Sequence, residues 1–346
     1  MHRQGSRGII SAPPDSTDAE DIEDLSAGDG VEVRQLTLQH AQAGLRLDLA
    51  LVAVASEFSR SYWQQRIAAG DVMVNGVAAR RAAQRCRGFE ELSLRLCPSA
   101  QTQAFVPQPM SLDIRYHDAH VLVLNKPAGL VVHPAPGNWS GTLLNGLLAL
   151  DEVAGTLPRA GIVHRLDKDT SGLMVVARSA VAREALVRAI AAREVSRQYV
   201  ALVHGEWPLA GSLNVNLAVG RDPGNRLRMA TRDVPSAGFK SASSVFTVLQ
   251  NAEHGALVHC ALGTGRTHQI RVHAAAMGHA LVGDVVYGGR AAAGMQRQAL
   301  HAWRLAFAHP VTGTGLRFEV DPPADFLAAC DHWGLGYNAA IASRAE

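Results

Sequence analysis

The sequence predicts an α+β fold in two unequal parts, and three observations carry that expectation. Apolar runs of strand length recur at Val121-Leu122-Val123-Leu124, Leu173-Met174-Val175-Val176, Tyr199-Val200-Ala201-Leu202-Val203 and Leu257-Val258-His259-Cys260. Helical stretches fall between them at irregular intervals, without the regular strand–helix alternation of a doubly wound parallel sheet. At 346 residues the chain exceeds what one small core serves. A stretch rich in Pro, Gln and Ser at residues 99–112 reads as the linker.

Residues 1–33 come first and read as a disordered acidic arm, with eight Asp and Glu and no Lys or Arg between residues 15 and 32. Residues 34–98 form a compact unit. Leu45, Leu47, Leu49, Leu51 and Val52 mark a helix around Arg46-Leu47-Asp48. Ser59 suits the N-cap of a second helix ending near Ala69, and Gly70 suits the left-handed position after it. Val72-Met73-Val74-Asn75-Gly76-Val77 then reads as strand, Asn-Gly turn, strand. The second domain spans residues 113–330. In it a helix is expected between Ser179 and Arg193 with Val181, Leu186 and Ile190 buried, and another from a Thr267 cap to Met277, before Gly278. Residues 331–346 are left as a tail, and no internal repeat is visible.

Composition narrows the function classes. With 47% hydrophobic and 18% charged residues the chain reads as soluble and globular. No apolar run approaches the roughly 20 residues of a membrane helix, and no signal-peptide core follows the N-terminus, so a cytoplasmic protein is expected. Cys86, Cys97, Cys260 and Cys330 lack Cys-x-x-Cys spacing, which points to free thiols and not to zinc. The net charge of +2 hides an asymmetry: without residues 1–33, with their eight acids, Arg3 and Arg7, the body holds 31 basic and 23 acidic residues, a formal +8. Such a body suits a nucleic-acid binder. Lysine occurs only at Lys126, Lys168 and Lys240, against 30 Arg.

Chemistry is concentrated in His164-Arg165-Leu166-Asp167-Lys168-Asp169-Thr170-Ser171-Gly172, a charged turn between apolar strands that a substrate can reach. Its charge pattern alone fits a solvated, salt-bridged loop equally well, and leaves open whether Asp167 or Asp169 would act.

The segment resembles the signature of the RluA-type pseudouridine synthases, whose His-Arg-Leu-Asp carboxylate falls at Asp167. Further stretches match in the same order: Asn125-Lys126-Pro127-Ala128-Gly129, Arg197-Gln198-Tyr199-Val200-Ala201-Leu202-Val203, Gly265-Arg266-Thr267-His268-Gln269-Ile270-Arg271 and Gly283-Asp284-Val285-Val286-Tyr287-Gly288. Residues 34–98 are similar to the S4 RNA-binding module. Residues 137–138, 159–163 and 288–290 look closest to the RluD-like branch. Arg197 stands where the family often has Lys, and His279-Ala280 replaces a usual His-Pro.

The resemblance implies a small S4-like domain followed by a synthase domain on a mixed, mainly antiparallel sheet flanked by helices and loops. It implies isomerisation of uridine to pseudouridine in large-subunit ribosomal RNA, with no cofactor and no metal. Asp167 would attack the sugar or remove a sugar proton, and either route needs an ionised carboxylate, which a neighbouring Arg271 favours. Tyr199 would offer a ring to the flipped base and a hydroxyl near C5. His164, Arg165 and Arg266 become candidate RNA contacts, as do Arg60, Arg66, Arg80 and Arg81 of the S4-like unit. A monomer without an obligate protein partner or membrane attachment is expected. Two other readings predict different products: a non-catalytic RNA-binding protein makes none, and a nucleoside hydrolase releases free base.

Overall fold

The computed structural model describes residues 32–96, 102–135, 137–207, 211–225 and 227–337. It divides into two compact units, Met1–Ser99 and Ala100–Glu346. Nearly all of the acidic arm, Cys97 and the last residues of the tail lie outside the described residues.

The first unit contains β1 (Glu32–Thr37), α1 (Leu47–Val54), α2 (Arg60–Ala69), β2 (Val72–Val74), β3 (Val77–Ala78) and β4 (Glu91–Leu96). Its antiparallel sheet has the order β1-β4-β2-β3. Strand β4 buries alternate residues Leu92, Leu94 and Leu96 against Leu47, Leu51, Trp63 and Ile67 of the helices. The Ser59 hydroxyl accepts from the Tyr62 N–H, and Gly70 ends α2 at φ 83°. Asn75 and Gly76, at φ 49° and 76°, make the hairpin turn with both central residues left-handed. Asp48 is fully buried and bound by Arg46 Nε and Arg60 Nε, each at 3.0 Å, and by Gln64 Nε2 at 2.8 Å. The hydrogen bonds from Arg46 hold it far below the usual carboxylate range, against the effect of burial. Strand β1 begins at Glu32, two residues inside the stretch read as the arm.

The second unit runs β5 (Asp113–His117), β6 (Val121–Lys126), α3 (Leu143–Leu150), β7 (Ser171–Ala177), α4 (Ala180–Ala192), β8 (Ser196–His204) and β9 (Ser212–Val215). It continues through β10 (Ala218–Arg221), β11 (Met229–Arg232), β12 (Phe239–Lys240), β13 (Ser244–Ala252), β14 (Gly255–Leu262) and α5 (Gln269–Ala276). It closes with β15 (Leu300–Ala308), β16 (Gly315–Glu319) and α6 (Ala324–His332). A nine-stranded sheet has the order β5-β6-β7-β15-β8-β14-β13-β9, with β16 also beside β15. Among the described strands only β7 and β15 pair in parallel, so the sheet is mixed and mainly antiparallel as expected. A three-stranded sheet, β11-β10-β12, stands apart from it.

Both faces of the large sheet are covered, which is why its central strands read as unbroken apolar runs. Leu122, Leu124, Met174, Val176 and Ala201 pack with Leu143, Leu144 and Leu147 of α3 and Ile270 and Ala274 of α5. On the other face, Val121, Val123, Leu173 and Val175 meet Ala182 and Leu186 of α4. Val200, Leu202 and Trp303 meet Phe326, Ala329 and Cys330 of α6.

Four sequence expectations need correction. The stretch 99–112 is not free chain throughout: Asn145 Nδ2 donates to the carbonyls of Ala104 and Val106, and Gln108 N–H donates to Asn145 O at 3.0 Å. The second unit also runs past residue 330, since α6 reaches His332 and Leu335 is buried. Val181 is exposed, because the Ser179 cap turns Ala182 and Leu186, four residues apart, inward. Thr267 is not a cap. His268 occupies that position at φ 55°, and the Gln269 side chain accepts from Arg266 N–H at 2.9 Å.

Candidate active site

The charged turn lies between a short bridge and a strand. Ile162 pairs with Val176, the chain then leaves the sheet, and it re-enters as β7 at Ser171. Inside the turn Thr170 N–H donates to Asp167 O at 3.1 Å. Lys126, fully buried, holds the same turn from the end of β6. Its Nζ donates to the carbonyls of Pro127, Leu130 and Lys168 at 2.7, 2.9 and 2.9 Å. Arg297 Nη1 donates to the carbonyl of Asp169 at 2.9 Å. Lys168 and Asp169 are held through their backbone carbonyls, and of the turn's two carboxylates Asp167 is the one that lines the adjoining cavity.

Helix α5 presents Arg271 to that carboxylate. Arg271 is buried; its Nη1 lies 3.1 Å from Asp167 Oδ2, and its Nε and Nη2 lie 2.7 and 2.8 Å from the two oxygens of Asp284. Burial opposes its charge, but the hydrogen bonds it donates to Asp284 and the field of Asp284 and Asp167 outweigh it and hold the guanidinium protonated. The Tyr287 ring lies against the guanidinium, 5.2 Å from Cζ to centroid. Tyr287 Oη accepts from Met229 N–H at 2.8 Å and lies 2.9 Å from His268 Nδ1. When the hydroxyl donates to Nδ1, the imidazole proton sits on Nε2, which is 4.0 Å from Asp167 Oδ2.

The loop before α5 is fastened by one amide. Gln269 Oε1 accepts from Thr264 Oγ1 at 2.7 Å and from Arg266 N–H at 2.9 Å, and its Nε2 donates to Ser243 O and Ser244 Oγ, both at 2.9 Å. Every hydrogen-bonding capacity of that buried side chain is used.

Tyr199 enters from β8, where it faces Cys260 of β14 and Ala302 of β15. It is 5% exposed, and burial pushes its hydroxyl up to about 12. His164 Nε2 accepts from Val175 N–H at 3.0 Å, and burial, reinforced by Arg197, holds the ring down at about 3. The imidazole is neutral.

These side chains converge. A cavity of about 780 Å³ is lined by Asp167, Tyr199, Arg271, His164, Arg165 and Arg266, the six residues of this unit that the sequence singled out. That volume is in the range of small-ligand sites, which run from about 300 to 1,000 Å³. Asp167 is the only acidic residue in the lining; six arginines share it. Among the described residues no group of three His, Cys, Asp or Glu side chains could hold a metal ion.

The remaining predicted residues belong to the first unit. Arg60 is tied to Asp48, and Arg66 to Asp71 at 3.0 Å, whereas Arg80 and Arg81 are exposed. Sequence reasoning assigned no role to Asp284, Tyr287, Gln269 or Arg197. The Gly-Asp-x-x-Tyr-Gly segment was the available signal for the first two, but nothing local says that Asp284 meets Arg271.

A family model described as RNA pseudouridylate synthase matches residues 120–276. The chain is 44% identical over 321 residues to ribosomal large subunit pseudouridine synthase D of Neisseria meningitidis serogroup B, covering 89% of this chain and 84% of that protein. It is 42% identical over 326 residues to the protein of the same name from Nitrosomonas europaea, covering 92% and 91%. Among solved structures, human RNA pseudouridylate synthase domain containing 1 superposes with a TM-score of 0.50 at 27% identity, covering 65% of this chain and 90% of that one. With its sheet, its cavity and relatives this similar along most of their length, the chain belongs to the RNA pseudouridylate synthase family, isomerases that convert uridine in RNA to pseudouridine.

Proposed function

We propose that the substrate is large-subunit ribosomal RNA and that Asp167 is the catalytic carboxylate. One observation carries the assignment: Asp167 is the single acid in the lining of a cavity that it shares with six arginines, and Arg271 is bonded to it at 3.1 Å. The relatives named for the large ribosomal subunit support the choice of RNA.

The reaction needs no redox partner and no phosphate donor. The bond from uracil N1 to the ribose breaks, the base turns, and C5 bonds to the same sugar carbon. C5 then gives up its proton, and N1 ends with one. Asp167 either adds to the anomeric carbon or takes a sugar proton, and both routes start from the carboxylate that accepts from Arg271 Nη1 at 3.1 Å. A stacked uridine must first leave its helix. Tyr199 then offers its ring to the base, and its hydroxyl stays protonated at neutral pH. His164, Arg165 and Arg266 are the contacts to the strand entering the cavity.

The first unit, a four-stranded antiparallel sheet with two helices, is the S4-like RNA-binding module in this reading. Arg80 and Arg81, which are exposed, are its backbone contacts, whereas Arg60 and Arg66, expected beside them, are tied to Asp48 and Asp71. Among the described residues no helix is long and apolar enough to cross a membrane, and we place the enzyme in the cytoplasm as a monomer. Incubation with transcribed large-subunit RNA, followed by mapping of pseudouridine through chemical adducts that stop reverse transcription, tests the substrate. New pseudouridine is expected. Free uracil would indicate a hydrolase, and unmodified RNA a binding protein.

A further inference from the structure

Two arginines are buried in the wall of the cavity, and only one of them is neutralised. Arg271 is bonded to Asp167 and Asp284. Arg197, on β8 two residues before Tyr199, is 6% exposed and makes no hydrogen bond or ion pair with any described residue. Its Nε is buried without an acceptor. The guanidinium lies against Gly265, where a Cβ would come within 2.6 Å of Nη1, so a side chain at that position would displace it.

A second orphan donor lines the same cavity. Because His164 Nε2 accepts the Val175 N–H, the ring proton belongs on Nδ1, and Nδ1 is also buried without a partner. A buried donor without an acceptor costs about 1–3 kcal/mol, and an unpaired buried charge costs more. Native proteins keep few such groups, and those they keep call for an explanation. Here the explanation must supply negative charge. A uracil carbonyl would accept the hydrogen bonds but leave the guanidinium unmatched, whereas a phosphodiester supplies both acceptors and charge.

We propose that Arg197 and the Nδ1–H of His164 form a phosphate subsite, which takes one phosphodiester of the bound strand beside the uridine that enters the cavity. This rests on the reading of the substrate as RNA. Arg197 and His164 are then positioning residues: they seat the backbone so that the sugar meets Asp167. The four exposed arginines of the lining, Arg159, Arg165, Arg193 and Arg266, remain hydrated in the free protein and carry no such deficit.

The test compares the wild-type protein with Arg197→Met, which keeps bulk and removes charge. The probe is a transcribed ribosomal RNA fragment in which the wild type forms pseudouridine. Three results are expected. The melting temperature of the RNA-free variant is unchanged or higher, because an unpaired buried charge has gone. The slope of log K against log salt for RNA binding shrinks by about 0.7–0.9, the contribution of one phosphate. A neutral methylphosphonate placed singly at the linkages flanking the target uridine weakens binding to the wild type at one position and leaves the variant indifferent there. An unchanged slope would overturn the subsite. So would a variant that melts several degrees lower or fails to fold, since the guanidinium would then be a structural member. If the wild type forms no pseudouridine in any ribosomal fragment, the reading of the substrate fails, and that failure is seen before any variant is compared.

Discussion

Arg271 reaches Asp167 with the one nitrogen that Asp284 leaves free: Nη1 is 3.1 Å from Asp167 Oδ2, while Nε and Nη2 are engaged by Asp284 at 2.7 and 2.8 Å. A guanidinium held on one edge by a bidentate carboxylate cannot rotate. Its remaining donor therefore has a fixed direction, and Asp167, the carboxylate we propose to be catalytic, meets a donor held by a residue that never touches it.

Asp284→Ala removes that hold. Breaking a buried ion pair on one side costs about 3–5 kcal/mol of stability, and the variant should lose an amount of that order in urea unfolding. The released guanidinium no longer fixes Asp167, so kcat in single-turnover assays should fall by at least about tenfold while KM moves little. Wild-type stability together with wild-type kcat would show that Asp284 does not position Arg271.

Lys126 makes stability depend on pH. Burial pushes its ammonium down to about 7 from an ordinary 10.5. Between about pH 7 and 10.5 the unfolded chain therefore binds a proton that the folded chain has released, so folding gains stability as pH rises, by up to about 1.4 kcal/mol per unit. Below the folded value both states are protonated and the slope vanishes. Unfolding free energies measured across that window should rise more steeply for the wild type than for Lys126→Met. Parallel curves would mean that Lys126 titrates normally.

Tyr199 separates ring from hydroxyl. With the phenol raised to about 12, the pH profile of the reaction should show no inflection from this group below pH 10. Tyr199→Phe keeps the packing on β8 and should leave KM within about threefold while kcat falls by at least about tenfold. Tyr199→Ala should in addition cost about 3–5 kcal/mol of stability, as large-to-small core substitutions of aromatics do. Equal kcat for the wild type and Tyr199→Phe would confine Tyr199 to packing.

In the first unit, Arg60 and Arg66 are already paired with Asp48 and Asp71, whereas Arg80 and Arg81 are exposed. Arg80→Ala and Arg81→Ala should each weaken RNA binding regardless of sequence and shrink the salt slope by about 0.7–0.9. Arg60→Ala should chiefly destabilise the unit, because it strips a partner from the fully buried Asp48. Unchanged salt slopes for both Arg80 and Arg81 would remove the RNA-binding role from this surface.

Much of this site was legible because short motifs concentrate it. Asp167, Tyr199 and Arg271 each sit in a segment whose residue order is itself a signal, and apolar runs marked β6, β7, β8 and β14, whose faces are both covered. Other parts depend on contacts far apart in the chain. Asp284 and Arg271 are 13 residues apart on separate elements, and neither has a local pattern naming the other. Arg197 reads as one of the polar residues that open an apolar strand, and only the fold shows that among the described residues no carboxylate pairs with it. The short strands β9 to β12, of two to four residues, carry too little periodicity to be read. The Thr267 cap failed for a local reason: His268 takes the cap position in the left-handed conformation with no side-chain cap bond, and the Gln269 side chain instead fastens the preceding loop by accepting from Arg266 N–H.

The most direct test of the central claim is pseudouridine formation by Asp167→Asn. The substitution keeps the shape of the side chain and removes the charge that both routes require. The expected result is a folded protein that binds ribosomal RNA as tightly as the wild type, within about threefold, and forms no pseudouridine even in prolonged single-turnover incubation. Pseudouridine formation at the wild-type rate by Asp167→Asn would contradict it.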